Sequence, residues 1–114
     1  MKIAPHFNRS EFACKCGCGF DTVDVLLVEA LEAIRDYFGT AITPTSGCRC
    51  PTHNKAVNGA PNSQHLRGRA ADIQVRDVAL SKIADFAEDL GLSVGRYNTF
   101  IHIDSRSGTP ARWG

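Results

Sequence analysis

Two histidines and an aspartate, His65, Asp72 and His102, have the residue types and spacing to hold a metal ion. A catalytic zinc takes three protein ligands from His, Asp, Glu or Cys and keeps a fourth position for water. His65 lies in a glycine-punctuated loop, Asp72 on the segment just after it, and His102 thirty residues beyond Asp72. Gly68 gives the chain freedom to bend between the first two. Zinc so held lowers the pKa of its water to about 7, which suits hydrolysis near neutrality. Spacing alone leaves a plainer reading open. Each histidine is then a surface or hydrogen-bonded residue, Asp72 faces solvent, and Asp104 merely pairs with His102.

Such residues need elements to position them. From Ala70 to Val75 the chain alternates, with Ala71, Ile73 and Val75 on one face and Ala70, Asp72 and Gln74 on the other. From Phe100 to Asp104, Ile101 and Ile103 share a face, opposite Phe100, His102 and Asp104. Period two in both predicts two strands of one sheet, apolar on the side toward helices and functional on the other. Leu27, Leu31, Ile34 and Phe38 recur at helical spacing, predicting a helix from Asp24, as N-cap, to Phe38, with Gly39 as the stop. A second helix is predicted over Val78 to Leu90, capped by Asp77, ended by Gly91 and buried through Leu80, Ile83, Ala84, Ala87 and Leu90. Smaller pieces are a capping-box turn at Ser10–Phe12, a tight loop over 14–19, a strand at 41–43 ended by Pro44, a brief helix over 51–57 and turns over 58–63. The expected fold is α+β, a small antiparallel sheet packed on helices, in one domain over 1–114.

Composition narrows the class. The chain has 114 residues, 43% hydrophobic and 22% charged, with a formal net charge of +1. This is a soluble globular composition, and no basic stripe or run of like charges gathers nucleic acid. The longest apolar run, Val25 to Val28, is far short of a membrane span. The N-terminus shows no apolar stretch of signal-peptide length. The expectation is synthesis in the cytoplasm without an export signal, and a monomer, since no coiled-coil seam is visible.

The stretch Ser63-Gln64-His65-Leu66-Arg67-Gly68-Arg69-Ala70-Ala71-Asp72 matches S-x-H-x-x-G-x-A-x-D. This resembles the signature of the zinc D-Ala-D-Ala carboxypeptidases and phage L-alanyl-D-glutamate endopeptidases, which share a core with the hedgehog signalling domain. Ser46-Gly47-Cys48-Arg49 resembles the family's S-G-Y-R upstream, and Phe100 to Asp104 with Arg112-Trp113 resembles its short prophage branch. The resemblance implies a hedgehog/DD-peptidase-like fold and a Zn2+ ion on His65, Asp72 and His102. It implies that Arg49 steadies the substrate carbonyl or a nearby carboxylate, and that Ser63 and Gln64 line the metal loop, Ser63 being equally readable as a turn residue. The implied activity is hydrolysis of a peptide bond in peptidoglycan stem peptides, with the wall reached through phage lysis or delivery. The bond could be that of a D,D-carboxypeptidase or of an endopeptidase.

The resemblance departs at one point. Many relatives carry a general base two or three residues before the last ligand, where this chain has Phe100 and Thr99. Asp104 is the nearest substitute, either as that base or as a partner that orients His102. Without a base, the alternative is a non-catalytic zinc-bearing domain of the same fold that binds a partner. Five cysteines fall into two groups, Cys14, Cys16 and Cys18, and Cys48 and Cys50, which are expected to meet. A disulfide between groups, a second structural zinc and free thiols all remain open. Cys48 stands at the family's tyrosine position and is readable as filling that space.

Overall fold

Period-two patterning becomes a five-stranded sheet. The computed structural model describes residues 2–114. The chain opens with a small hairpin of β1 (Lys2–Ala4) and β2 (Phe7–Asn8), followed by a 3₁₀ turn at Arg9–Phe12. In that turn the Glu11 carboxylate accepts the Asn8 N–H at 2.8 Å, as part of the predicted capping box between Asn8 and Glu11. Three helices follow in the chain, α1 (Val25–Phe38), α2 (Pro51–Ala56) and α3 (Leu80–Asp89). The main sheet holds β3 (Ile42–Ser46), β4 (Ala70–Val75), β5 (Ser93–Arg96), β6 (Ile101–Asp104) and β7 (Arg112–Trp113), in the order β3-β4-β6-β5-β7. Neighbours are antiparallel except β5 and β7, which run parallel. The architecture is α+β as expected, with a mixed sheet in place of a purely antiparallel one. No helix among the described residues is long and apolar enough to cross a membrane.

The apolar face of the sheet carries Ala71, Ile73 and Val75 of β4 and Ile101 and Ile103 of β6. Leu27, Leu31 and Ile34 of α1 and Ile83, Ala84 and Ala87 of α3 cover that face. Burying one such aliphatic side chain is worth about 1.5–3 kcal/mol, so this layer fixes the pairing of β4 with β6. In that pairing Asp72 lies directly opposite His102, and Ala70 opposite Asp104. A slip of one residue would turn all four to the wrong side.

Several boundaries differ from the sequence reading. β3 runs through Pro44 to Ser46, because β3 is an edge strand and proline's missing N–H can face away from β4. Helix α3 begins at Leu80, after Ala79 as N-cap, and Asp77 is not its cap. Asp77 adopts a left-handed φ of 61°, and the N–H of Val78 bonds the Val75 carbonyl, so this stretch is a turn leaving β4. Leu90 is 42% exposed rather than buried, since it lies past the last helical residue. Asp24 holds the N-cap position of α1, but its carboxylate accepts from Ser105 Oγ at 2.7 Å and leaves the helix N–H groups alone. Strands β5 and β7 have no counterpart in the sequence reading; both are short, and β5 contains Gly95.

One joint sets the height of the loop above β4. Gly68 ends a 3₁₀ turn at Gln64–Arg67 with a φ of 67°, and its carbonyl accepts the Asp24 N–H at 2.8 Å. A Cβ there would come within 2.4 Å of the Thr22 carbonyl oxygen. Glycine is required twice over, by conformation and by space. Gly68→Ala is expected to reduce stability by roughly 2–4 kcal/mol in denaturant unfolding. A change within about 0.5 kcal/mol would contradict this role for the joint.

Candidate metal centre

The register of β4 against β6 presents Asp72 and His102 side by side, and the Gln64–Arg67 turn lowers His65 onto them. Ser63 caps that turn, its Oγ accepting the His65 N–H at 3.2 Å. The His65 carbonyl accepts the Arg49 N–H at 2.9 Å, tying the turn to the segment after β3. His65 Nε2 lies 3.2 Å and His102 Nδ1 3.1 Å from the same oxygen, Asp72 Oδ1. All three residues are buried.

The outer nitrogens of both rings are already committed. His65 Nδ1 donates to the Gly47 carbonyl at 2.6 Å, and His102 Nε2 donates to Asp104 Oδ2 at 2.8 Å. Since a carbonyl and a carboxylate only accept, each neutral ring must turn an unprotonated nitrogen toward Asp72. This is how metal-ligating imidazoles are oriented. Four-coordinate ligands about 2.0–2.1 Å from a zinc ion lie about 3.3–3.4 Å from each other. The observed separations are close to that edge length, and the donor set of two imidazoles and a carboxylate fits zinc with an open position.

Electrostatics point the same way. Burial alone would raise the Asp72 pKa, but His102 and His65, which donate to it when their rings are protonated, outweigh burial and hold the group at about 2. Burial would lower the pKa of His102, yet the Asp104 and Asp72 carboxylates pull it above its ordinary value. Asp104 likewise resists burial and stays below the usual carboxylate range, because Arg106 and His102 donate to it.

Arg49 stands beside the cluster rather than in it. Its Nη2 donates to Asp72 Oδ2 at 3.3 Å, its Nε to Ser46 Oγ at 3.3 Å and its Nη1 to Asn54 Oδ1 at 3.2 Å. The guanidinium therefore steadies a carboxylate, leaving Asp72 Oδ1 to the imidazoles. Asp104 is fully buried, and its oxygens receive Arg106 Nε at 2.8 Å, Arg106 Nη2 at 2.7 Å and the Arg106 N–H at 3.2 Å besides His102. Asp104 is absent from the lining of the cleft above the cluster.

That cleft has a volume of about 530 Å³, within the range of ligand sites. Its floor is His65, Asp72 and His102, and Arg49, Ser63 and Gln64 also line it. Gln64 Oε1 is buried without a hydrogen-bond partner. The far wall is aromatic. Tyr97 stacks on Phe100 with centroids 4.5 Å apart, and Trp113 Nε1 donates to the Tyr97 hydroxyl at 2.9 Å. Trp113 lies against the His102 ring at 5.0 Å and fits there because Gly95 has no side chain; a Cβ would meet the indole at 2.4 Å. Tyr97, Arg106 and Trp113 were not singled out as site residues from the sequence. The only hint for Arg106 is its offset of two from Asp104, and Trp113 enters only through the resemblance of Arg112-Trp113 to the prophage branch.

The sequence profile of the Peptidase M15 family matches residues 5–104. The chain belongs to the Peptidase M15 family. No curated protein matches the chain. The M15 match spans Arg49, the His65–Asp72–His102 cluster and Asp104, and ends before Arg106 and Trp113. M15 peptidases are zinc-dependent, in keeping with a donor set that fits zinc.

The geometry makes Asp104 the residue that orients His102. Asp104→Asn is expected to weaken zinc binding by about 10–100-fold in a chelator-competition titration. Undiminished affinity with lost turnover would instead make Asp104 the proton acceptor.

Proposed function

We propose that this M15 protein is a zinc peptidase that hydrolyses a peptide bond in the stem peptides of peptidoglycan. The observation that carries the proposal is the convergence of His65 Nε2, Asp72 Oδ1 and His102 Nδ1 at the floor of an open cleft. A zinc ion held by these residues supplies Lewis acidity toward a carbonyl and makes water nucleophilic near neutral pH.

The chain's own groups do the rest. Arg49 fixes the second oxygen of Asp72, so the carboxylate cannot rotate away from the imidazoles. Asp104, clamped by Arg106, holds the His102 ring in one tautomer. Gln64 lines the cleft next to His65, where its side chain can meet a bound peptide. Tyr97, Phe100 and Trp113 form an apolar wall for a peptide laid along the cleft and limit water behind it. Ser63 acts on the turn that carries His65. The place of action is then the bacterial cell wall.

A second reading, a zinc-bearing domain that binds without cutting, is favoured by one feature. Among the described residues, Asp72 is the sole carboxylate lining the cleft. Mass spectrometry of purified wall fragments after incubation separates the two. The peptidase reading predicts peptide products that each mark the addition of one water, abolished by chelation and by His65→Ala. Stoichiometric zinc with every fragment left intact would decide for the binding domain.

A further inference from the structure

Four of the five cysteines meet at a point that the peptidase reading does not use. Cys14, Cys16 and Cys18 come from the loop before α1, and Cys50 from the residue preceding α2; their ligand atoms all lie within 4.8 Å of one another. We propose that these four thiols form a closed site for a structural zinc ion.

Sulfur spacing supports this. Cys14 and Cys16 are 3.4 Å apart, Cys16 and Cys50 3.6 Å, and Cys14 and Cys50 3.8 Å. Thiolates bound at about 2.3 Å around a tetrahedral zinc have edges of about 3.8 Å. The sulfurs cluster together rather than paired off, and all five cysteines are free thiols. Backbone donors already point at the sulfurs. The Cys50 N–H reaches Cys14 Sγ at 3.4 Å and the His53 N–H reaches Cys50 Sγ at 3.4 Å. Thiolate sulfur accepts such bonds better than thiol sulfur does.

The loop is folded for convergence. In an extended chain, residues two apart would lie well over 6 Å from each other. Here Gly17 and Gly19 take φ values of 81° and 91°, and the Cys14 N–H closes on the Phe20 carbonyl at 2.7 Å. The chain curls so that alternate side chains aim at one centre. Cys48 is excluded: it is buried and its Sγ donates to the Phe20 carbonyl at 3.0 Å. This accounts for an odd cysteine count. Because Cys50 directly follows Arg49, an ion here would staple the N-terminal loop to the segment that steadies Asp72.

The site is independent of the cleft, and its test separates the two metals. The unaltered chain is loaded with cobalt, whose thiolate complexes show charge-transfer absorption that His and Asp ligands do not give. The expected result is that absorption, with about two cobalt ions per chain in native mass spectrometry. His65→Ala/Asp72→Ala should retain about one ion together with the thiolate absorption, and Cys16→Ser/Cys18→Ser should retain about one ion and lose that absorption. Should the cysteine variant fail to fold, the spectrum of the unaltered chain still decides. Cobalt-loaded chain without thiolate absorption, or sulfurs found paired as disulfides, would overturn the proposal.

Discussion

Placing a carboxylate between two imidazoles in a buried pocket is costly, and much of this structure compensates for that cost. Asp72 and His102 would each prefer water, since desolvation opposes the charged form of both. They stay together because every outward-facing polar atom has a fixed partner. Gly47 holds His65, Asp104 holds His102, and Arg49 holds Asp72. Arg106 completes the series by neutralising Asp104. The arrangement is charged, and its rim is satisfied.

The scaffold serves that arrangement with little material. The β4/β6 register supplies two of the three central side chains, and the apolar layer beneath prevents slippage. The third depends on a single turn between Ser63 and Gly68, wedged against Thr22 and Asp24. The N-terminal loop therefore bears on the centre from two directions, through Gly68 and through the contact of Phe12 with Cys48.

Much of this was readable from the amino acids. Alternation in Ala70–Val75 and in the segment ending at Asp104 placed Asp72, His102 and Asp104 on one face, since side-chain direction follows directly from period two. The loop signature located His65, whose position relative to the strand depends on Gly68. What escaped was set by tertiary contact. Asp77 looks like a helix cap, but the turn out of β4 claims its backbone. β5 and β7 are too short to show a period, and their pairing depends on Trp113 covering Gly95. Nothing in the sequence shows that Arg106 occupies the oxygens of Asp104, because that contact is set by the turn after β6.

The most direct measurement is the crystal structure of the zinc-loaded protein, with the ion located by anomalous scattering. The account predicts zinc at about 2.0–2.2 Å from His65 Nε2, an Asp72 oxygen and His102 Nδ1, with an exchangeable ligand facing the cleft. Zinc absent from this point, or any of those three side chains turned away from it, would contradict the account.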